Sequence, residues 1–488
     1  MTTLQPRPPY SQAELKILYP DGLQLQLVQV LLRHGERSPV SARFQNAGLV
    51  AFWPYCAVAR QMVSATHDGA EWSPMKWRRR LETFGPDDGP VIAAGPRGEV
   101  DAVCNLGELT DKGRETTHEL GRRLRHLYVD QLGFLPSTIN DADMFYLRAT
   151  PIPRALDSLQ QTFWGMYPSK YRSPSLPPTI RTIKPAFAQR TSDRWNSTSE
   201  MEYLNTLISK WMPESSKRVA VDSHPRLSGI MDTINSTLAH GPETLLPKEF
   251  YDPKGRQIIE KIGVEEWFSG YHESQEYRQL GIGGLMGDMV ARMVGNIEKK
   301  WSRRFARGGS GCHDTTLAAV LASLGTFQGE MWPPYTSHIA LELFKQSDAQ
   351  QSFSVKKLPQ ETISAAPTTS TGESKVSKGW FASLFGSASS TEQKPNDLGI
   401  ARQKLETLNE SDRSKLDGYF VRVRYNDKVM KIPGCKPTGK HLEGDESFCT
   451  LTAFKGIVDK FTPTHWKQEC LSNMDVPAFP EKPEPAGY

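Results

Sequence analysis

The chain has 488 residues, enough for a large core with an inserted cap, and its formal charge of +4 is close to balanced. That balance argues against a general nucleic-acid binder. No apolar run approaches the roughly eighteen residues that a membrane span needs.

Residues 1–21 form a polar, proline-bearing N-terminal extension without an apolar h-region, so a classical secretory signal is not expected. Arg7 and Lys16 are its basic residues, which gives a mitochondrial presequence weak support. The simplest setting is intracellular and cytoplasmic. The six cysteines show no metal-type spacing, and reduced thiols are the default expectation there.

From Leu23 to Leu32 the chain alternates and then becomes continuously apolar, the pattern of a strand buried on both faces. The run stops at Arg33-His34-Gly35-Glu36-Arg37-Ser38-Pro39. A histidine at the C-terminal end of a central strand in an open α/β sheet lies where such folds bind ligands. Arg33 and Arg37 beside it suit a phosphate, because each guanidinium donates paired hydrogen bonds to its oxygens. The His34 imidazole between them would attack phosphorus. A lone Arg-His-Gly would read as a basic surface turn.

The full string resembles the signature of the histidine acid phosphatase family, a branch of the phosphoglycerate-mutase-like superfamily. The resemblance implies an α/β fold: a mixed, mainly parallel sheet flanked by helices, with an inserted α-helical cap. It implies hydrolysis of phosphate monoesters through a phosphohistidine. It implies no cofactor and no metal.

Residues 22–170 are read as the first part of the core, with an irregular excursion over 53–105. Arg78-Arg79-Arg80 within it reads as a solvated face. Thr110 or Asp111 is placed to cap a helix through Leu120, Leu124 and Leu127, with Arg122, Arg123 and Arg125 facing out. A short strand from Ala142 to Leu147 ends at Arg148, just before a proline-led helix through Arg154 and Leu159. This repeats the geometry of the first motif, and the helix N-terminus would help Arg148 hold the same phosphate. The family's Arg-x-Thr segment with a further Arg matches Arg148-Ala149-Thr150 and Arg154. Arg148 carries over as a phosphate ligand, and Arg154 as a ligand or a salt-bridge partner.

Residues 171–270 read as an α-rich cap, and 271–345 as the second part of the core. Gly281-Ile282-Gly283-Gly284 is not a nucleotide loop, because no strand feeds it. Cys312-His313-Asp314 precedes an amphipathic helix, Leu317 to Leu324, which Asp314 or Thr315 in isolation would simply cap. Beside the first motif it resembles the family's His-Asp pair. His313 would then hold phosphoryl oxygens, while Asp314 would protonate the leaving alcohol and later activate water. That work needs a protonated carboxyl, favoured by burial or a nearby phosphate dianion, and predicts an acidic optimum.

The family leads into this pair with an apolar strand. Here the approach, Trp301 to Gly311, is charged and glycine-rich. The strand is expected to be truncated to about Phe305 and Ala306 or partly lost. A displaced His313 and Asp314 would leave a phosphate binder with poor turnover.

Strands are expected at Ile339 to Phe344 and Tyr419 to Tyr425. Between them, 346–417 is a low-complexity insertion with too few apolar residues to pack. Trp380 to Phe385 inside it is a candidate for peripheral contact with a membrane or partner, or for a local helix. Ile400 to Leu416 has helical spacing. The third part of the core covers 418–475, followed by an extended tail over 476–488. Secreted members of the resembled family carry disulfides in this region, which makes Cys435 and Cys449 a candidate pair.

The first reading is thus a phosphomonoesterase with His34 as nucleophile, Asp314 as proton donor, and Arg33, Arg37, Arg148 and His313 on the phosphate. The alternatives are an impaired phospholigand-binding or scaffold protein and a phosphotransferase or mutase. The partner is a small phosphorylated substrate: a lysophospholipid, sugar phosphate, inositol phosphate or phosphoprotein. Nothing in the sequence fixes the oligomeric state.

Overall fold

The structure is a computed structural model describing residues 2–69, 71–141, 144–173, 178–182, 195–298, 307–329, 331–347, 399–470, 472, 480 and 482–488. The chain opens with α1 (Gln12–Leu18) and β1 (Leu23–Arg33). Two hairpins follow, β2 with β3 (Met62–Asp68, Glu71–Trp77) and β4 with β5 (Glu82–Phe84, Pro90–Ile92). Next come α2 (Asp111–Arg125), β6 (Tyr146–Ala149), α3 (Pro153–Met166) and β7 (Ile180–Thr182). A helical stretch holds α4 (Ser199–Ile208), α5 (Leu227–Ala239), α6 (Pro253–Glu273), α7 (Gln275–Arg278) and α8 (Gly284–Ile297). The remaining sheet elements are β8 (Arg307–Cys312), β9 (His338–Gln346), β10 (Tyr419–Tyr425), β11 (Lys428–Met430), β12 (His441–Leu442) and β13 (Asp445–Thr450), with α9 (Asp314–Ser323) after β8.

The sheet order is β12-β13-β10-β9-β1-β8-β6-β7, with β11 on β10. β1, β8, β6 and β7 run parallel, and β1, β9, β10 and β13 alternate in direction. β1 sits at the seam between the two halves. Its side chains alternate between two cores, as a doubly covered strand requires. Val28, Val30 and Leu32 pack with Leu120 and Leu124 of α2 and Leu159 and Phe163 of α3. Leu27 and Leu31 pack with Met286 and Val290 of α8 and Leu317 and Leu321 of α9. Burying each such leucine contributes roughly 1.5–3 kcal/mol.

The approach to His313 departs from the expected truncation. β8 is an intact strand, and it pairs with β1 from Val28↔Arg307 to Arg33↔Cys312. It also pairs with β6 on its other side. Its glycines explain why hydropathy does not reveal it: α3 lies directly on the strand. A Cβ on Gly311 would stand 2.6 Å from the Ala155 carbonyl oxygen and 3.0 Å from Leu159 Cβ. Ladder pairing on both edges supplies the order that side chains do not.

The helices α4, α5 and α6 share one core with the loop after β1: Leu204, Ile230, Ile234 and Ile262 cluster with Phe44 and Trp53. The 53–105 excursion is more regular than expected. It carries both hairpins and closes with a disulfide from Cys56 to Cys104. A second disulfide joins Cys435 and Cys449, whose Cα atoms are 5.3 Å apart. Four of the six cysteines are therefore oxidised, against the reduced default.

The N-terminal extension docks on the sheet: Leu4 N–H donates to the Tyr335 carbonyl, and Tyr335 N–H donates back to Thr2. Arg125 does not face solvent but lies 3.8 Å over the Tyr171 ring. Residues 400–414 form short helical turns rather than one helix. The rest of the insertion, with Trp380 to Phe385, lies outside the described residues. In the tail, the Gly487 carbonyl accepts Gly434 N–H. Among the described residues, no helix is long and apolar enough to cross a membrane.

Candidate active site

β1 and β8 are parallel neighbours, so the residues that follow them meet at one edge. His34 N–H donates to the Cys312 carbonyl at 3.2 Å, and Arg33 N–H donates to Ser337 at 2.8 Å. Gly35 then turns the chain against the start of α2. A Cβ on Gly35 would stand 2.3 Å from the Gly113 carbonyl oxygen, and a Cβ on Gly113 would stand 2.1 Å from that of Glu36. The two glycines thus let the loop and the helix touch backbone to backbone. Glu36 anchors the same contact from a buried position, accepting from Thr116 Oγ1 at 2.6 Å.

His34 is 2% exposed. Its Nδ1 lies 2.8 Å from the Gly35 carbonyl oxygen. A carbonyl only accepts, so Nδ1 is assigned the proton and Nε2 the lone pair. Burial, then the charges of Arg154, Arg33 and Arg37, hold its pKa well below the ordinary histidine value. This favours the neutral ring, with the Nε2 lone pair free.

Three arginines surround it. Arg33 pairs with Asp314 Oδ2 at 2.7 Å, donates to the Pro333 carbonyl, and lies 4.1 Å over the Tyr335 ring. Arg37 pairs with Asp232 Oδ1 of α5 at 2.6 Å and donates to the Ser38 carbonyl at 3.1 Å. Arg154, in the first turn of α3, has no ion pair among the described residues. Burial and the neighbouring Arg37 push it down to about 10. In all three the Nε atom is buried with no hydrogen-bond partner among the described residues. Such donors are costly to leave unmade and suit an incoming anion.

Arg148 stands elsewhere. Its guanidinium pairs with Asp288 of α8 at 2.7 Å and donates to the Tyr146 hydroxyl at 2.8 Å. Among the charges that act on His34, Arg154 comes first. Of the two arginines in this segment, the site receives Arg154.

His313 follows β8, and Asp314 opens α9. The rings of His34 and His313 meet edge to face at 5.5 Å. His313 Nε2 lies 2.9 Å from Thr150 Oγ1. Burial, then Arg154, pushes its pKa down to about 4. Asp314 Oδ1 accepts from Thr315 N–H at 2.8 Å, and Oδ2 accepts from Trp332 Nε1 at 2.9 Å. Burial works against its ionised form. Arg33 and the Trp332 N–H outweigh that and hold the carboxyl below its ordinary range. The expected protonated carboxyl is therefore not the state of the free site.

Asp232, Trp332 and Tyr335 carry no motif signal and come to the site only through the fold. The Trp332-Pro333-Pro334-Tyr335 string offers one hint, since a rigid aromatic turn immediately precedes β9.

A neutral histidine ringed by guanidinium donors, with a carboxyl beside it on a parallel strand edge, defines a phosphoryl-transfer site. The chain belongs to the histidine phosphatase superfamily (branch 2), whose family model matches residues 24–237. It is 33% identical over 473 residues to a probable acid phosphatase of Schizosaccharomyces pombe, covering 93% of this chain and 95% of that protein. It is 23% identical over 357 residues to lysophosphatidic acid phosphatase type 6 of Homo sapiens, covering 68% and 76% respectively. Among solved structures, Hafnia alvei phytase in complex with tartrate aligns with a TM-score of 0.49 and 13% identity, covering 91% of this chain and 98% of that one. The chain is a phosphomonoesterase of the acid phosphatase type.

Proposed function

We propose that His34 carries the reaction as a covalent nucleophile. Nε2 attacks phosphorus, and the bond from phosphorus to the ester oxygen breaks. Asp314, protonated in the complex, passes its proton to the leaving alkoxide. The same carboxylate then takes a proton from water. That water attacks the phosphohistidine, the P–N bond breaks, and inorganic phosphate leaves with His34 neutral again. The Nε–H groups of Arg33, Arg37 and Arg154, with His313, hold the phosphoryl oxygens and stabilise the charge that spreads over them.

The observation that supports this most directly is the set of three unpartnered buried Nε donors around a histidine whose lone pair is free. Phosphate supplies what Asp314 needs: its dianion disfavours a second negative charge and raises the carboxyl. Burial and the arginines lower the His34 pKa and favour its unprotonated form. The two together favour an acidic optimum. The burial of His34 favours a small phosphate ester over a folded phosphoprotein. Two disulfides favour an oxidising compartment over the cytoplasm.

His34→Ala should lower turnover of p-nitrophenyl phosphate by about a thousandfold or more, as deletion of a covalent nucleophile does elsewhere. Acid quenching of the wild type during turnover should trap one phosphoryl group on His34 by mass spectrometry. An active His34→Ala variant would remove the nucleophile from this scheme.

A further inference from the structure

Among the described residues, Asp314 and Asp232 both face the arginines, and the proposed mechanism gives a chemical task to Asp314 alone. The other, Asp232, comes from α5 of the helical layer, and its side chain is only 11% exposed. Its Oδ1 meets Arg37 Nη2 at 2.6 Å. Its Oδ2 accepts from Val40 N–H at 3.2 Å and Arg43 Nη1 at 3.4 Å. Its charge also reaches Arg154, whose other carboxylate neighbour is Asp314. In the free site the four arginines Arg33, Arg37, Arg43 and Arg154 exceed Asp232 and Asp314 by two positive charges. Without Asp232 three would remain.

We propose that Asp232 is a counter-ion of the phosphate cradle, a positioning residue that limits how tightly inorganic phosphate is held and so lets product leave. This rests on the reading of Arg33, Arg37 and Arg154 as that cradle. Asp232 holds the Nη edge of Arg37 and leaves the Nε edge for a phosphoryl oxygen, so carboxylate and phosphate share one guanidinium. The carboxylate weakens the hold on substrate and on product alike. Uniform binding of that kind does not speed the chemical step, and excess hold on product slows release.

The test uses two substitutions in the full chain. Asp232→Asn keeps an oxygen beside Arg37 and removes the charge; Asp232→Ala removes both. Phosphate affinity is read as the inhibition constant of inorganic phosphate against p-nitrophenyl phosphate. It is read again by calorimetric titration of phosphate in the His34→Ala background, where turnover is not needed. Asp232→Asn should bind phosphate about tenfold more tightly, the low end of what one neighbouring charge does to an ionic equilibrium. KM and kcat should fall together as release becomes limiting. Asp232→Ala frees Arg37 to move and should not reproduce that tightening. Unchanged or weaker phosphate binding in Asp232→Asn would overturn the proposal and leave Asp232 a tether for Arg37. Wild-type protein that binds no phosphate would instead overturn the cradle reading beneath it.

Discussion

Trp332 gives its indole N–H to the same Asp314 oxygen that Arg33 holds, so one carboxylate oxygen carries two donors at 2.9 and 2.7 Å. Both donors favour the ionised form. A proton donor held this way works only when bound phosphate reverses the balance, which ties its protonation to substrate binding. Asp314→Asn should therefore lose on the order of 10²- to 10⁴-fold in kcat on an alkyl phosphate such as glycerol phosphate. It should lose far less on p-nitrophenyl phosphate, because nitrophenolate leaves without a proton. Steady-state kinetics on the two esters check this. Equal losses on both would deny Asp314 the acid role.

The Trp332 bond gives a second expectation. In the proposed mechanism the acid form of Asp314 is the working form, so kcat on an alkyl phosphate falls as pH rises through its pKa in the complex. Trp332→Phe keeps the ring and removes the donor that favours the carboxylate, so the pKa rises. The alkaline limb of the profile should move up by about half to one pH unit, the equivalent of one hydrogen bond of about 1 kcal/mol. A limb that stays in place would show that Trp332 does not bear on this proton.

Arg154 and Arg148 should separate cleanly. Arg154 is the first charge that lowers His34, so Arg154→Ala raises the His34 pKa. The nucleophile then protonates at higher pH, and the acid limb of kcat/KM moves up. Loss of a charge-assisted hydrogen bond to phosphate should also raise KM by about ten- to a hundredfold. Arg148→Ala leaves Asp288 with Arg292 at 3.2 Å. It should cost about 1 kcal/mol of stability and change KM by less than about threefold. The opposite pattern would restore Arg148 to the phosphate.

This pair marks where sequence reading stops. Arg33, His34 and Arg37 are legible because one loop holds them after an unmistakable buried strand, and His313 and Asp314 are legible as a contiguous pair. Arg148 and Arg154 are six positions apart across a strand end and a helix start. Which one turns to the site depends on the register of β6 and the phase of α3, which no spacing encodes. β8 is hidden for a different reason: α3 lies on its backbone, so glycine replaces the apolar residues by which strands are recognised. Asp232 is hidden because its partners lie 189 to 195 residues earlier in the chain, and only the packing of α5 on the loop after β1 brings them together.

Gly35 and Gly113 fix His34 by contact of backbones. Gly35→Ala would place a methyl group 2.3 Å from a carbonyl oxygen that cannot yield without moving α2. Overpacking of this kind costs about 1–3 kcal/mol. The structural response is a shift of the loop, and a displacement of about 1 Å at a reacting group can cost on the order of 10²-fold. Folded Gly35→Ala protein should therefore show a lower melting temperature and a kcat/KM reduced about a hundredfold. Native activity in that variant would mean the contact does not position the histidine.

Glu342 is a buried carboxylate whose charge bears on the stability of the fold itself. It is fully buried in β9, pairs with Arg422 at 2.8 Å, lies 3.5 Å from Arg424, and accepts from the Tyr19 and Tyr128 hydroxyls at 2.7 and 2.8 Å. Burial alone would raise its pKa, but Arg422, Arg424 and the Tyr19 hydroxyl hold it down to about 2. Because the folded pKa lies below the unfolded value of about 4.3, the group stabilises the fold by on the order of 3 kcal/mol above that value. The contribution is lost as pH falls through about 2. Glu342→Gln strands two buried guanidinium groups and should cost about 3–5 kcal/mol near neutrality. Its melting temperature should lie several degrees below wild type from about pH 5 to 7, and the gap should close as pH falls toward about 2. A gap independent of pH would mean that shape rather than charge is what Glu342 contributes.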